Sequence, residues 1–392
     1  MRIGLVGSPH DLHTLRWGQA LQEAGAEVFL FGIESPPPEL PLSYICVGEA
    51  VPSPQWKHFW SRRPALKGAL QAQNITLAHP IHLTPFGVWV WLSGFRPYIP
   101  FAMGADVLEY GPYAPPITLS WSAQGKPPSL STYLRTITRR ALLPALLRPT
   151  LHHALLCVGD NYELCFTNKY FEKEKIYIEV PTGIGLRWPP SEAPAGVERL
   201  SAPHWLLAPR GATRFYGADV ILKAFQAYCE KGGTTFALIL LQGAYPLDPT
   251  LSPTIDYLEK QYKNMFLFFI KRLDKKYMSY LWQHAAAFIS APVYDGYSYA
   301  VAEGRWHGAL PIVNAIPAHR EILTHGYNAW FVEPFTPEKL TEALFHIEAL
   351  LHNSPPFWKE RNRAWIARYS DLSTNAQLFL AIAEKALAGK HV

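Results

Sequence analysis

Two carboxylates eight positions apart, Asp295 and Glu303, occur in the run Ser290-Ala-Pro-Val-Tyr-Asp295-Gly296-Tyr-Ser298-Tyr299-Ala-Val-Ala-Glu303. The run leaves an apolar stretch, turns at Asp295-Gly296 and enters a helical pattern for which Ser298 is an N-cap candidate. The amides of Tyr299 and Ala300 then become unpaired helix-start donors, an arrangement suited to a diphosphate. Glu303, about one turn into the helix, could accept hydrogen bonds from ribose hydroxyls, and Asp295 could reach toward a sugar. Read alone, the same spacing also fits a capped surface helix carrying two incidental acids.

Other reactive types are sparse. His10 and His13 flank the start of a first helix without a third ligand, so no metal site is expected. Gly4-Leu-Val-Gly7-Ser8-Pro9 lacks the G-x-G-x-x-G pattern, which argues against a nicotinamide site. Cys46, Cys157, Cys165 and Cys229 are far apart, and no C-x-x-C pair exists. Neither a zinc ribbon nor a disulfide framework is suggested, and a reducing cytoplasm is the natural setting. No secretory signal or membrane span is read in the chain.

The elements that must position these residues follow from apolar periodicity. Arg2 to Gly7 and Glu27 to Gly32 read as buried parallel strands around a helix with Leu12, Leu15, Ala20, Leu21 and Ala24 on one side, a βαβ unit. Further strands are expected at 75–78, 98–102, 154–158 and 176–180, with a Pro-rich loop at 35–41 and a long loop at 110–128. The Pro-rich segment 188–194 reads as an interdomain linker. After it come strands at 205–208, 236–241, 265–270, 286–290 and 310–314. Helices are expected at 218–228, 274–284, 299–307, 337–351 and 374–387. At 392 residues, 49% hydrophobic and only 17% charged, the chain can bury two cores and is not disordered. Two α/β domains result, 1–187 and 188–372, with a final helix at 373–392. In such open sheets ligands sit at the carboxyl ends of the strands.

Charge is unevenly placed. Residues 51–150 hold ten Lys and Arg against two acids, Asp106 and Glu109, a local +8 where the whole chain carries +5. Trp56-Lys-His-Phe-Trp60-Ser-Arg62-Arg63 mixes aromatics with cations. Such a pattern suits peripheral contact with an anionic membrane surface, or simply core aromatics beside a solvated basic face. No nucleic-acid-binding motif accompanies it.

Beyond Glu303 the chain continues Gly308-Ala-Leu-Pro311-Ile-Val-Asn314-Ala-Ile-Pro317-Ala-His319-Arg320-Glu321-Ile, then Gly326-Tyr-Asn328-Ala-Trp-Phe-Val-Glu-Pro334. With the paired acids, this resembles the nucleotide-sugar half of retaining glycosyltransferases of family 4, which have the GT-B fold. Asp295 stands where that family usually has Glu, and Asn328-Ala329 where it has Asn-Gly. His79-Pro-Ile-His82-Leu-Thr84-Pro-Phe-Gly87 and Phe101-Ala-Met-Gly104-Ala105-Asp106-Val-Leu resemble its N-terminal segments. The likeness runs from about residue 2 to 385.

The resemblance implies two Rossmann-like doubly wound α/β domains facing across a cleft, the last helix crossing back onto the first domain. The N-terminal domain would hold a sugar, glycan or lipid-linked acceptor and the C-terminal domain a nucleotide-diphosphate sugar. It implies no cofactor and no metal: the chain has no Asp-x-Asp, and cations with helix amides would neutralise the diphosphate. Arg210, after the first strand of the second domain, matches the family's Arg. Tyr216 replaces its Lys, and Arg214 is the substitute cation or else a solvated one. The catalytic set is then Asp295, Arg210 and Asp106, with Asp106 near donor sugar and acceptor or serving as a helix N-cap. Glu303, Ser298, Tyr299, Gly296 and Arg214 bind the donor. Gly7, Ser8, His79 and His82 lie on the acceptor side, although a tight turn explains the first two equally and a buried structural role explains either histidine. Transfer with retention needs no enzyme nucleophile, since the acceptor can attack the face the diphosphate leaves. The departures at Tyr216 and Asp295 keep open a protein that binds a nucleotide-sugar or glycan without turnover. A phosphorylase or epimerase of the same fold is a further alternative, short of a suitable lysine or of N-terminal acids.

Overall fold

The computed structural model describes residues 1–103, 130–159, 175–243, 246–353 and 356–389, with backbone only for 130–137 and 139–141. They sort into two compact units. Of these, 1–103, 134–159, 175–183 and 369–389 belong to the first, and 130–133, 184–243, 246–353 and 356–368 to the second.

In the first unit, strands β1 (Arg2–Val6), β2 (Glu27–Gly32), β3 (Ser43–Cys46) and β4 (Leu77–Pro80) form a parallel sheet in the order β3-β2-β1-β4. Strands β5 (Phe101–Ala102), β6 (Cys157–Gly159) and β7 (Tyr177–Glu179) form a second parallel set. Parallel bridges from Ala78 to Tyr98 and from Ile81 to Phe101 carry the order on from β4 to β5. Ile3, Leu5 and Val6 are fully buried, as a strand covered on both faces requires. The chain reverses direction of winding at β1, so β1 and β4 flank a switch point. The helix Leu12–Glu23 follows β1 and turns Trp17, Gly18, Ala20 and Leu21 inward. The C-terminal helix Leu372–Leu387 belongs to this unit, with Ala376, Phe379 and Ala383 in the core beside Trp17. The edge strand β3 lies just beyond the Pro-rich loop and was not expected from sequence. It has four residues, none buried, so no apolar alternation marks it.

The second unit holds β8 (His204–Ala208), β9 (Phe236–Leu241), β10 (Phe266–Phe269), β11 (Ala285–Ser290), β12 (Leu310–Asn314) and β13 (Trp330–Val332). All pair in parallel, in the order β10-β9-β8-β11-β12-β13. Counted within the unit this is the 3-2-1-4-5-6 order of dinucleotide folds, with its switch point between β8 and β11. All six residues of β9 are buried. The helix Ala218–Glu230 packs on the helix Pro337–Asn353, where Tyr228 donates to Glu348 Oε2 at 2.8 Å. The segment 188–194, expected as a linker, is instead laid on this unit. Glu192 pairs with Lys276 at 2.6 Å, and the Trp188 ring meets His307 edge-on at 4.6 Å. Among the described residues no helix is long and apolar enough to cross a membrane.

Candidate functional site

Each unit brings polar side chains together at its switch point. In the second unit, Arg210 leaves the end of β8 and Asp295 leaves the end of β11. Arg210 Nη2 lies 3.1 Å from Asp295 Oδ2, with side chains 19% and 15% exposed. Arg210 Nη1 donates to Ser298 Oγ at 3.4 Å, and the guanidinium rests 4.9 Å above the Tyr216 ring. Burial works against this cation, but Asp295 and Tyr216 outweigh it and hold Arg210 above its ordinary pKa. Gly211 makes the bend possible: its φ is +115°, and a Cβ there would lie 3.0 Å from the Gln242 carbonyl oxygen.

Ser298 is the N-cap residue of the helix Tyr299–His307, but its side chain does not cap it. The hydroxyl is turned to Arg210 instead, so the first amides are not consumed by their own N-cap. Asp295 Oδ1 accepts from the Gly296 amide at 3.1 Å, which fixes the carboxylate at the turn. Glu303 is the fifth residue of the helix and half-buried. Tyr299 opens it, edge-on to Tyr297 at 5.1 Å.

Arg214 does not join this group. Its Nε lies 3.4 Å from Asp248 Oδ2, and its Nη2 donates to Thr250 Oγ1 at 3.0 Å. The Asp248 side chain has no exposed surface, so withdrawing Arg214 would strip a buried carboxylate of a cation. The expected replacement for the missing lysine is committed elsewhere. What Tyr216 supplies in lysine's place is a ring face under Arg210.

Two residues near this group escaped the sequence reading. His319, on the short helix Pro317–Ile322, is fully buried. Desolvation lowers its pKa, the Asn314 carbonyl and Asp295 raise it, and Arg210 lowers it again. Asp295 and Arg210 thus act on the His319 ring in opposite directions. Asn314, at the end of β12, donates from Nδ2 to the Pro292 carbonyl at 2.7 Å. Both lie in the quoted motif run, but nothing in their spacing singles them out.

In the first unit the loop after β1 carries Gly7 and Ser8. A Cβ on Gly7 would lie 2.8 Å from Thr14 Cγ2, so packing alone demands glycine there. Ser8 Oγ accepts from the His10 amide at 3.3 Å. Asp11 caps the following helix, accepting from the amides of His13 at 3.2 Å and Thr14 at 3.0 Å. Its Oδ2 also lies 3.7 Å from His82 Nε2. Burial disfavours the Asp11 anion, but His82 and the Thr14 hydroxyl prevail and hold its carboxyl well below the usual range. His82 is half-exposed and has φ +75°, a conformation rare for a non-glycine residue and enriched at functional sites. Asp11 was not among the expected site residues, though Asp three positions before Thr14 at a helix start is a readable capping signal.

His79 is corrected. It is fully buried, its Nε2 accepts from the Trp17 indole at 3.0 Å, and its Nδ1 donates to the Ile99 carbonyl at 2.5 Å. Its ring lies 4.3 Å from that of Phe379. Both nitrogens are used inside the core, so no atom is left to meet an acceptor, and burial pushes its pKa down to about 4. Asp106 lies outside the described residues.

No protein-family model and no curated protein matches this chain. Solved structures do. A glycosyltransferase from Rickettsia africae is 14% identical with a TM-score of 0.72, covering 98% of both chains. Sucrose-phosphate synthase from Thermosynechococcus elongatus is 15% identical with a TM-score of 0.69, covering 100% of both. HepE from Anabaena, solved in complex with UDP, is 10% identical with a TM-score of 0.70, covering 98% of this chain and 100% of its own. At such identities the likeness is one of fold, and the fold of this chain is GT-B.

Proposed function

We propose that this protein moves a hexose, with retention at the anomeric carbon, from a nucleoside-diphosphate sugar to a sugar, glycan or lipid-linked acceptor. The observation that carries this reading is the cluster of Arg210, Asp295 and Ser298 at the switch point between β8 and β11. A cation, a carboxylate and an uncapped helix start converge there, in a fold shared with a neighbour solved with UDP.

Each residue has a role that follows from its chemistry. Arg210 grips the diphosphate and stabilises charge as the bond to the sugar breaks. The amides at the start of Tyr299–His307 share that charge, and Gly296 lets the backbone approach. Glu303 accepts from ribose hydroxyls. Asp295 positions the sugar once Arg210 turns to the phosphates. The acceptor hydroxyl attacks the face from which the diphosphate departs, and a diphosphate oxygen takes its proton, so no covalent enzyme intermediate is needed. On the acceptor side, Ser8 and His82 are half-exposed polar groups at the first unit's switch point.

One further observation favours a lipid-linked acceptor. The helix Trp56–Ser61 leaves Trp56 and Trp60 exposed one turn apart, with the Arg63 guanidinium 5.0 Å from the Trp60 ring. Residues 51–103 include no acid. An interfacial tryptophan pair beside cations suits an anionic bilayer. Co-sedimentation with phosphatidylglycerol vesicles, lost in Trp56→Ala/Trp60→Ala and in high salt, is the expected result. Equal binding to neutral vesicles argues against it.

The donor reading is tested by thermal shift with UDP, GDP, ADP and their glucose conjugates, repeated on Glu303→Ala. A ligand at 100 times its Kd adds about 2.7 kcal/mol of stability. One base should shift the wild type and lose most of its effect in the variant; no shift with any nucleotide overturns the reading. Binding without donor hydrolysis or transfer would favour a non-catalytic binder.

A further inference from the structure

Buried polar atoms almost always have hydrogen-bond partners. Those left without one around the carboxyl ends of β11 and β12 include His319 Nε2 and Asn314 Oδ1, along with Ser290 Oγ and Asp295 Oδ2. What the first two can accept or donate is fixed by their other contacts. His319 Nδ1 lies 3.0 Å from the Asn314 carbonyl oxygen. A carbonyl only accepts, so Nδ1 carries the proton and Nε2 presents a lone pair. Asn314 gives its Nδ2 to the Pro292 carbonyl, which leaves Oδ1 as an acceptor by the same reasoning. Among the described residues no carboxylate is hydrogen-bonded to His319, and its burial favours the neutral ring. The carboxyl end of β12 thus offers two acceptors in want of donors. Arg210, at the end of β8, offers the opposite.

We propose that His319 is a specificity-determining residue that accepts a hydrogen bond, at Nε2, from a hydroxyl of the sugar being transferred. The inference rests on the donor reading above and deepens it. A diphosphate is all acceptor at neutral pH and cannot satisfy either atom, whereas a polyol can. The site is therefore polar in one direction, phosphates toward Arg210 and sugar hydroxyls toward His319 and Asn314. A site built to bind a hydroxyl rejects an analogue lacking it far more strongly than an apolar pocket rejects an extra methylene, because its own buried group is left unpaired.

The experiment compares two affinities in three proteins. Calorimetry gives the Kd of UDP, GDP and ADP, and of each glucose conjugate, for the wild type, His319→Leu and His319→Gln. Leu removes the acceptor, and Gln keeps an acceptor oxygen. The expected result is free-nucleotide affinity within two-fold in all three, conjugate affinity at least ten-fold weaker in His319→Leu, and partial recovery in His319→Gln. Among the 2-, 3-, 4- and 6-deoxyglucose conjugates, one should bind the wild type weakly and be indifferent to His319→Leu. Equal weakening of nucleotide and conjugate would assign His319 a structural role and overturn the inference. So would a conjugate affinity unchanged by Leu, or a conjugate that gains nothing over its nucleotide in the wild type. If no nucleotide binds the wild type, the donor reading fails and this inference falls with it.

Discussion

Both units place a carboxylate and a basic group at the switch point of a parallel sheet, but the two pairs differ in kind. Asp295 meets Arg210, which is charged at every accessible pH. Asp11 meets His82, whose charge depends on pH. The first pair is close, 3.1 Å, with 19% and 15% of the side chains exposed; the second is looser, 3.7 Å, with 24% exposed at Asp11 and 30% at His82. A permanent, half-enclosed cation suits a ligand that is always anionic. A more open imidazole, aimed by an unusual backbone and backed by a carboxylate, suits a neutral hydroxyl. The same topological feature thus carries two different pairs, and the difference lies in the side chains rather than the sheets.

Removing each basic side chain in turn separates the two pairs most strongly. Arg210→Met should lower sugar transfer by roughly 10²–10³-fold, the usual effect of deleting one donor to a developing anion, and should weaken nucleotide binding as well. His82→Ala should slow transfer while leaving nucleotide affinity within two-fold. Transfer kinetics with calorimetry on both variants would decide, and equal loss of nucleotide binding would erase the division.

The next effect is confined to the first unit. His79 has its pKa lowered from 6.5 to about 4 by burial. Below 6.5 the unfolded chain takes up the proton first, so stability present above 6.5 is lost progressively toward 4, by about 3 kcal/mol at full protonation. Denaturant unfolding across that range should show this slope, and His79→Leu should flatten it. A slope unchanged by the variant would remove His79 as its source.

Asp11→Ala should destabilise the first unit by about 1 kcal/mol through loss of the N-cap. The Asp11 carboxyl is depressed in the fold, so its contribution is complete above the ordinary value of 3.8 and fades as pH falls below it. The gap between wild type and variant should therefore close in acid, and a gap that widens would contradict the assignment. The smallest effect is expected at Arg214, which is 46% exposed and bound to Asp248. Arg214→Ala should change nucleotide affinity less than two-fold; a ten-fold loss would return it to the donor site.

How much of this was legible is best seen in paired residues. The helix Tyr299–His307 and strand β12 match the expected bounds because apolar runs and glycine stops mark them. β3 and β13 are short edge strands, four and three residues long with little burial, and alternation over so few positions carries no signal. His79 and His82 share one motif and were indistinguishable there. The sheet turns one into the core against Trp17 and Phe379 and leaves the other beside Asp11. Arg210 and Arg214 are two cations of one loop, separated in role by Asp248, which lies 34 positions away from Arg214 in sequence.

The two α/β halves, most of the strands, and the run in which Asp295, Ser298 and Glu303 lie can be read along the chain. Periodicity, turn residues and local spacing suffice for these, because each is a property of neighbours along the chain. Which polar groups meet follows from three-dimensional packing. It set Arg210 against Asp295, gave Arg214 to Asp248, buried His79, and left His319 an acceptor without a donor. Those outcomes depend on how strands far apart in sequence come to lie side by side, and on which side chains burial then forces to find a partner.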